Sequence, residues 1–202
     1  MIVILDYGMG NAGSILNMIN RIGGTAIISS NREDILQASA LILPGVGAFD
    51  NGMEKIRSSG LLALIEKKVL VDKVPFLGIC LGMQLLFESS EEGVIPGLGW
   101  INGTVKKFKF ENQNLKVPHM GWNVVKSDHL LFKSERPELR FYFVHSYHVN
   151  CSDEKNAIAK VNYGYDFVCG VQKDNIYGIQ FHPEKSHKFG MEFFLHFLRD
   201  IC

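Results

Sequence analysis

From residue 74 the chain reads Val74-Pro75-Phe76-Leu77-Gly78-Ile79-Cys80-Leu81-Gly82-Met83-Gln84-Leu85-Leu86-Phe87. An apolar strand here runs into a cysteine framed by glycines, and a helix begins directly after it. This order is typical of a nucleophile elbow, a sharp turn that presents a reactive side chain at the carboxyl end of a strand. Gly78 and Gly82 fit such a turn because a Cβ at either position would crowd neighbouring backbone. The stretch therefore predicts Cys80 as a nucleophile, and the alternative is an ordinary buried cysteine.

Strands and helices alternate through the first half of the chain. Apolar runs predict strands at residues 2–6, 25–29, 40–43 and 74–79. Helical spacing of apolar residues predicts helices after Asn11, at residues 32–38, from Asp50 and at residues 61–69. Such alternation indicates βαβ units and a parallel sheet with helices on both faces.

After residue 87 the pattern changes to successive strands with short polar connections. They are predicted at residues 100–110, 122–126, 141–149, 157–161, 167–173 and 176–181, with a last helix at about 189–201. Connections of this kind favour antiparallel pairing. The predicted fold class is α/β, with a central, mostly parallel sheet flanked by helices and antiparallel strands added in the second half. One domain, residues 1–202, is expected.

The composition excludes several classes of protein. The 202 residues are 47% hydrophobic and 21% charged, as expected for a globular domain, and Lys plus Arg equals Asp plus Glu at 21 each. No net charge therefore favours nucleic acid or a membrane. The amino-terminal strand carries Asp6 and does not resemble a signal peptide, so a cytoplasmic location is expected. Cys80, Cys151, Cys169 and Cys202 are too widely spaced to suggest a zinc site or a disulfide framework, and no metal or cofactor is predicted.

A cysteine nucleophile needs a base and a group that orients the base. His182 follows the apolar strand at residues 176–181, so it is expected at the same edge of the sheet as Cys80. Glu184, one residue beyond Pro183, can reach back to one ring nitrogen of His182 and leave the other facing the thiol. Taken separately, His182 could be a satisfied histidine in a turn and Glu184 a solvated acid.

Attack on a carbonyl also needs donors for the oxyanion that forms. The backbone N–H of Leu81, the residue after the nucleophile, is the usual first donor. Pro44-Gly45-Val46-Gly47 ends another strand, and its glycines let the backbone approach a substrate, although such a sequence can also be a simple tight turn. Together these features predict acyl transfer through a thioester, with an amide or ester as substrate.

Several motifs resemble the class I (triad) glutamine amidotransferases. The resemblance is carried by Gly78-Ile79-Cys80-Leu81-Gly82-Met83-Gln84, His182-Pro183-Glu184 and Pro44-Gly45-Val46-Gly47. Four others look like the glutaminase subunits of imidazole glycerol phosphate synthase: Asp6-Tyr7-Gly8-Met9-Gly10-Asn11, Pro118-His119-Met120-Gly121-Trp122-Asn123, Phe141-Tyr142-Phe143-Val144-His145-Ser146-Tyr147 and His182-Pro183-Glu184-Lys185-Ser186. The motifs cover essentially the whole chain in the family's order. They imply the class I glutamine amidotransferase fold.

The resemblance implies hydrolysis of L-glutamine to glutamate and ammonia, with Cys80 attacking the side-chain amide. His182 would protonate the leaving ammonia and then activate water, while Glu184 holds the imidazole. Gly47 and Leu81 would serve the oxyanion. The residues that would bind glutamine are Gly45, Gln84, Glu92, Ser146 and Tyr147.

In this family the ammonia passes to a (βα)₈-barrel cyclase subunit, which makes imidazole glycerol phosphate and AICAR in histidine biosynthesis. Ammonia must stay unprotonated and away from solvent, which favours a tight heterodimer. The positions that would face this partner are Tyr7, Met9, Asn11, Met120, Trp122, Tyr142 and Lys185. Trp122 is the strongest of these because exposed tryptophans are common binding anchors. We expect low glutaminase activity without the partner, because residues 44–47 would need it to point a donor inward.

Three alternatives remain open. Ser186-His187-Lys188-Phe189-Gly190-Met191 resembles paralogues that supply ammonia for amination of a surface-polysaccharide sugar and share the same triad. The second alternative is a cysteine hydrolase or peptidase of this fold that does not act on glutamine. The third is a non-catalytic module that only binds a partner, although such a module has no need of an intact Cys-His-Glu set.

Overall fold

One sheet joins the strands of the computed structural model, which describes residues 1–110 and 115–202. Within those residues the strands are β1 Ile2–Leu5, β2 Ala26–Ser29, β3 Ala40–Leu43, β4 Phe76–Ile79, β5 Ser89–Ser90, β6 Gly103–Lys107, β7 His119–Lys126, β8 Leu139–His145, β9 Tyr147–Cys151, β10 Ala157–Tyr163, β11 Tyr165–Lys173 and β12 Ile176–Ile179. The main order is β2-β1-β3-β4-β12-β11-β10-β7-β8, and β5, β6 and β9 branch from β11. The predicted α/β class is confirmed.

The first half of the sheet is parallel, as predicted. β2, β1, β3, β4 and β12 pair in parallel, and β1, β3, β4 and β12 are buried at every position. Strands of this kind are apolar on both faces because helices cover both. In the register of β4 and β12, Ile79 lies opposite Ile179. The residues that follow these strands therefore leave the sheet at the same edge.

The second half of the sheet is antiparallel around β7 to β12, again as predicted. The segment predicted as one strand at residues 141–149 is instead two strands, β8 and β9, separated at Ser146. β8 pairs with β7, whereas β9 pairs with β6 and β11, so the chain changes neighbours at that residue. The short strand β5 was not predicted, and it pairs in parallel with β6.

Six α-helices lie in the described part of the chain. They are α1 Ala12–Arg21, α2 Arg32–Gln37, α3 Phe49–Ser58, α4 Leu62–Glu66, α5 Leu81–Gln84 and α6 His187–His196. Asn11 caps α1, because its side chain accepts a hydrogen bond from Ser14 N at 3.4 Å. Two helical predictions extended further than the α-helices do: α4 continues as a π-helix over Lys67–Val71, and α6 continues as one over Phe197–Ile201. The helix after the elbow, α5, is only one turn long.

The two faces of the sheet carry separate cores. Ile2 and Ile4 pack with apolar residues of α1 and α6, whereas Val3 and Leu5 pack with those of α2 to α5. In the first core the rings of Phe141 and Phe181 stack with their centroids 4.0 Å apart. This stack fixes the segment after β12 against β8, which is where the predicted base lies.

Two features are absent from the described residues. No helix among them is long and apolar enough to cross a membrane. Across residues 1–110 and 115–202, no three His, Cys, Asp or Glu side chains lie together in a group that could hold a metal ion.

Candidate active site

Cys80 follows β4 in a backbone conformation that non-glycine residues rarely adopt, with φ 55° and ψ −111°. A Cβ on Gly78 would lie 2.5 Å from the carbonyl oxygen of Gly82, and one on Gly82 would overlap the carbonyl oxygen of Leu43. Both glycines are therefore required for the turn to pack against its neighbours. This is the geometry of a nucleophile elbow, for the physical reason that the sequence suggested.

The backbone at His182 is tied to β8. His182 N donates to the Tyr142 carbonyl at 2.9 Å. Ser186 Oγ donates to the His182 carbonyl at 2.6 Å and accepts from Tyr142 N at 3.0 Å. Two of these bonds hold the His182 backbone directly, and the third ties Ser186 to the same residue of β8. The backbone that carries the imidazole is therefore fixed next to the elbow.

The imidazole of His182 is oriented by Glu184. Its Nδ1 donates to Glu184 Oε1 at 2.8 Å, and both side chains are only 2% exposed. A carboxylate can only accept a hydrogen bond, so the proton on the ring belongs to Nδ1. Nε2 is buried and has no hydrogen bond among the described residues. It is therefore the nitrogen left to act on Cys80.

Two opposing effects set the pKa of His182. Burial lowers the pKa because it disfavours the charged ring, but the neighbouring Cys80 thiol and the Glu184 carboxylate outweigh burial and raise the pKa to about 10. The ring thus holds a proton firmly when a negative charge develops on the sulfur beside it. That property suits a base for a thiol nucleophile.

Gln180 is a site residue that sequence reasoning missed. It is fully buried, and its Nε2 donates to Cys80 Sγ at 3.6 Å. Its Oε1 accepts from Gln84 Nε2 at 3.0 Å, and the same Gln84 nitrogen also donates to the Tyr147 carbonyl at 3.2 Å. The sequence did contain a signal, because Gln180 is a polar residue inside the apolar run at residues 176–181.

The Gly45–Gly47 segment lies against the elbow. A Cβ on Gly45 would lie 2.7 Å from Gly82 N and 2.8 Å from Leu81 Cβ, so this glycine allows the two backbones to approach. Gly47 has a positive φ of 103° and is exposed. The N–H of Leu81 opens α5, where a helix supplies no acceptor of its own. Both proposed sources of oxyanion donors thus border Cys80.

A cavity of about 390 Å³ opens over the nucleophile. Such a volume is within the usual range for small-molecule sites. Its lining includes most of the residues assigned to catalysis and glutamine binding, namely Gly47, Cys80, Leu81, Gln84, Glu92, Ser146, Tyr147 and His182. Gly45 was also expected to bind substrate, but it is buried beneath the elbow and is not part of the lining. Glu184 lies behind His182.

Glu92 connects the cavity to α3. Its Oε2 accepts from Phe49 N, the first residue of α3, at 2.9 Å. Burial raises the pKa of this carboxyl, the bond from Phe49 N lowers it, and Asp50 raises it further. A cation bound at the cavity would relieve the cost of keeping this half-buried carboxylate ionised. That arrangement suits the ammonium group of an amino acid.

Tyr7 is not at the surface, contrary to the expectation that it faces a partner. Its side chain is 7% exposed, and its hydroxyl donates to the Pro44 carbonyl at 2.7 Å. Burial, and then the proximity of Cys80, raise the pKa of this phenol. The apolar ring belongs to the core on the α3 face of the sheet, which explains its position. Tyr7 therefore supports the segment that leads into Gly45–Gly47.

The remaining residues expected to face a partner are accessible. Met9 and Tyr142 are half-buried, and Asn11 and Lys185 are exposed. Met120 and Trp122 are unusual because these apolar side chains are 59% and 46% exposed. Met120, Trp122, Tyr142 and Lys185 share one region: Trp122 pairs with Tyr142 across β7 and β8, and Lys185 Nζ lies 5.8 Å from the centre of the Tyr142 ring. These four residues are called the aromatic surface below.

A larger and more open hollow, of about 1010 Å³, lies between the Ser127–Pro137 loop and α6. Two of its charged side chains are paired with each other: Glu192 accepts from Arg136 Nε at 2.8 Å, and it also accepts from Ser134 Oγ at 3.0 Å. None of the predicted catalytic residues lines it. The smaller cavity over Cys80 is therefore the candidate active site.

The comparisons with known proteins agree with this geometry. The family model described as glutamine amidotransferase class-I matches residues 3–201. The chain is 54% identical to the imidazole glycerol phosphate synthase subunit HisH 2 of Methanococcus maripaludis, covering 98% of this chain and 99% of that protein. It is 49% identical to the subunit HisH of Sulfurimonas denitrificans, covering 98% of each. A solved glutamine amidotransferase has a similar fold, with a TM-score of 0.74 and 18% identity over 97% of this chain and 98% of that one.

Proposed function

The chain belongs to the class-I glutamine amidotransferase family. From its 49–54% identity to HisH subunits over nearly its whole length, we propose that it is the glutaminase subunit of an imidazole glycerol phosphate synthase. The whole chain would act as one glutamine amidotransferase domain in the cytoplasm, with its chemistry carried by its own side chains and backbone N–H groups. The observation that supports the activity best is the buried pair formed by His182 and Glu184 beside the strained Cys80.

The first half of the reaction forms a thioester. Cys80 gives its proton to His182 Nε2, and the sulfur attacks the side-chain amide carbon of L-glutamine. The N–H groups of Leu81 and of the Gly47 segment stabilise the oxyanion. His182 then passes the proton to the leaving nitrogen, so the C–N bond breaks and ammonia departs. Glu184 keeps Nδ1 protonated and the ring in place throughout.

The second half of the reaction hydrolyses the thioester. His182 Nε2 takes a proton from a water molecule, and the resulting hydroxide attacks the same carbon. When the tetrahedral intermediate collapses, the C–S bond breaks and the proton on His182 restores the thiol. Glutamate is released. The same ring nitrogen serves both halves, which is consistent with Nε2 having no other hydrogen bond in the described residues.

Glutamine would be bound by the cavity walls. Glu92 would receive its ammonium group, and Ser146 and Tyr147 would line the opposite side. Gln84 can contribute only an acceptor, because both hydrogens of its Nε2 are already donated, one to Gln180 and one to Tyr147. We therefore assign Gln84 Oε1 to a donor group of the substrate.

The partner would be a (βα)₈-barrel cyclase subunit that binds over the aromatic surface. Exposed Met120 and Trp122 are apolar anchors of the kind that centre an interface, and Lys185 supplies a charge at its rim. The surface adjoins the cavity, since Lys185 also lines it. Ammonia released at Cys80 could then enter the partner without crossing solvent, which is the purpose of a heterodimer here.

Cys80→Ser tests the activity. We expect the complex to lose glutamine-dependent synthesis and to keep synthesis driven by added ammonium salts, since only the source of ammonia has been removed. Loss of both would contradict channelling. Labelling offers a second measure: a diazo-ketone analogue of glutamine should modify Cys80 and spare Cys151, Cys169 and Cys202. Cleavage of peptides but not of glutamine would support the cysteine hydrolase alternative instead.

Complementation tests the pathway. The chain, expressed with its cognate cyclase, should rescue a histidine auxotroph that lacks the glutaminase subunit. The matched control is the same plasmid carrying Cys80→Ser, grown without added ammonium salts. Failure of the wild-type chain to rescue, together with intact glutaminase activity in the same complex, would favour the paralogues of sugar amination.

A further inference from the structure

We propose that Gln180 is a further catalytic residue, whose carboxamide donates a hydrogen bond to Cys80 Sγ and stabilises the thiolate. The proposal rests on the nucleophilic role of Cys80 in the proposed function. Gln180 Nε2 lies 3.6 Å from the sulfur, within the reach of an N–H···S bond, and Gln180 follows β12 as Cys80 follows β4. Neighbouring parallel strands thus deliver the donor and the nucleophile to the same point.

The orientation of the Gln180 carboxamide follows from its partners. The Tyr147 carbonyl can only accept, so the group that Gln84 turns toward it, 3.2 Å away, must be the NH₂. The same NH₂ lies 3.0 Å from Gln180, which must therefore present its oxygen there. Only the NH₂ of Gln180 is left to face Cys80. The backbone carbonyl of Tyr147 thereby sets the direction of a chain of hydrogen bonds that ends on the sulfur.

The same carbonyl is held from a second side. His145 Nδ1 donates to the Tyr147 carbonyl at 2.7 Å, so Gln84 and His145 together use both of its lone pairs. His145 Nε2 must then accept, and it lies 3.0 Å from His119 Nδ1, which donates. A carbonyl engaged twice has no remaining capacity to accept from another group. Gln84 is consequently kept in one orientation, and Gln180 with it.

Gln180 has no freedom to turn toward solvent. Its exposure is 0%, and its backbone N donates to the Cys169 carbonyl at 2.9 Å on the adjacent strand β11. A buried carboxamide is costly unless its polar atoms are paired. Here the sulfur is the partner that satisfies its NH₂. A fixed, desolvated donor stabilises a developing negative charge more than a mobile one because it needs no reorganisation.

Two side chains, His182 and Gln180, would therefore act on the sulfur in different roles. His182 takes the proton and returns it, while Gln180 remains neutral and keeps its bond through both halves of the reaction. Gln180→Glu puts a carboxylate of the same shape beside the thiol, and Gln180→Met fills the same space with neither donor nor charge. The other titratable groups near the sulfur, His182, Tyr7, Glu92, Lys185 and His145, are unchanged in both variants.

The test is alkylation of Cys80 by iodoacetamide in the full-length chain, followed against pH by peptide mass spectrometry. In Gln180→Glu we expect Cys80 to be alkylated at no more than about a tenth of the wild-type rate at neutral pH. This corresponds to a shift of about one pH unit in the profile. Gln180→Met should shift in the same direction by a smaller amount. The assay does not need glutamine, so it tests this proposal separately from the proposed function. If the proposed function were wrong, glutamine would not be hydrolysed, whatever the alkylation profile showed.

Gln172→Glu is the matched control. Gln172 lies on β11 in another half-buried network, where it bonds His129 and Tyr177, and it is remote from the cavity. This variant should keep the wild-type profile. The proposal is overturned if folded Gln180→Met alkylates Cys80 at the wild-type rate across the pH range. It is also overturned if Gln172→Glu shifts the profile as far as Gln180→Glu does, because the effect would then be one of general destabilisation.

Discussion

Replacing His145 should make the protein less sensitive to acid. His145 is 6% exposed, and its Nδ1 donates to the Tyr147 carbonyl while its Nε2 accepts from His119 Nδ1. Burial lowers the pKa of His145 to about 3, against the opposing effect of the bond to Tyr147, and nearby His119 and His148 lower it further. A proton added to Nε2 would also point at the donor of His119. The folded protein therefore holds this ring neutral.

The sign and size of the effect follow from proton binding. In the unfolded chain the ring has its ordinary pKa of 6.5. Between that value and the folded value of about 3, the unfolded state binds the proton and the folded state does not, so the free energy of unfolding falls as pH falls. At about pH 5, roughly 1.5 units below the unfolded value, the loss is about 2 kcal/mol. That is a sizeable part of a typical stability of about 5–15 kcal/mol.

His182 acts in the opposite direction. Because folding raises the pKa of His182, its protonation stabilises the folded state at pH values below its unfolded pKa. That stabilisation is lost as pH rises through about 10. Wild-type stability therefore reflects both groups. A variant at 145 keeps His182, so the comparison isolates proton binding by His145, whose pKa the charge of His182 also helps to lower.

The assay is urea unfolding of wild type and His145→Asn at about pH 7.5 and about pH 5. Asparagine keeps a donor near the position of Nδ1 but cannot titrate. The variant should be less stable at neutral pH, yet its loss on acidification should be smaller than that of wild type by about 2 kcal/mol. His187→Asn is the control, since His187 is exposed with a φ of 47°, which asparagine tolerates. Equal acid losses in wild type and His145→Asn would refute the reasoning.

Three further substitutions test the framework of the site. Gly78→Ala should destabilise the chain by about 1–3 kcal/mol in urea unfolding, because its Cβ would lie 2.5 Å from backbone that cannot move aside. Tyr7→Phe should cost about 1–3 kcal/mol in the same assay, since it leaves the buried Pro44 carbonyl without its donor, and a change within error would show that water replaces the hydroxyl. Glu184→Gln should lower kcat for glutamine by about 10²–10⁴. It should also lower the pKa of His182, because the carboxylate charge that helps to raise it is lost, and an unchanged pH–rate profile would contradict this.

Much of the site could be predicted because its parts are local in sequence. Glycines two residues before and after Cys80 are visible in the chain, and the structure shows the backbone that a Cβ would meet. His182 and Glu184 are two residues apart, so their contact needs no knowledge of the fold. Apolar runs such as β1 and β3 identify strands buried on both faces, from which the parallel sheet follows.

The rest depended on contacts between distant parts of the chain. The apolar run marks Gln180 as unusual, but its orientation depends on Gln84, 96 residues earlier, and on the Tyr147 carbonyl, 63 residues from Gln84. The break at Ser146 was hidden because aromatic and apolar residues occur on both sides of it. In the structure the buried positions alternate through β8, and the alternation shifts phase before β9. A pattern read over residues 141–149 as one segment cannot show such a shift.

The corrected position of Tyr7 changes how the partner would act on the catalytic centre. The Tyr7–Asn11 loop was expected to meet the partner directly, yet its first residue is buried and holds the Pro44 carbonyl. The loop then packs along the next residues: a Cβ on Gly10 would lie 2.7 Å from Pro44 Cβ, and the Met9 methyl is 3.3 Å from where a Cβ of Gly47 would be. A partner that presses on Met9 or Asn11 would thus act on the Gly45–Gly47 peptides through contacts within this subunit. We expect the isolated subunit to be weakly active for this reason, because the loop is anchored at Tyr7 and its other end, Asn11, is exposed where it caps α1.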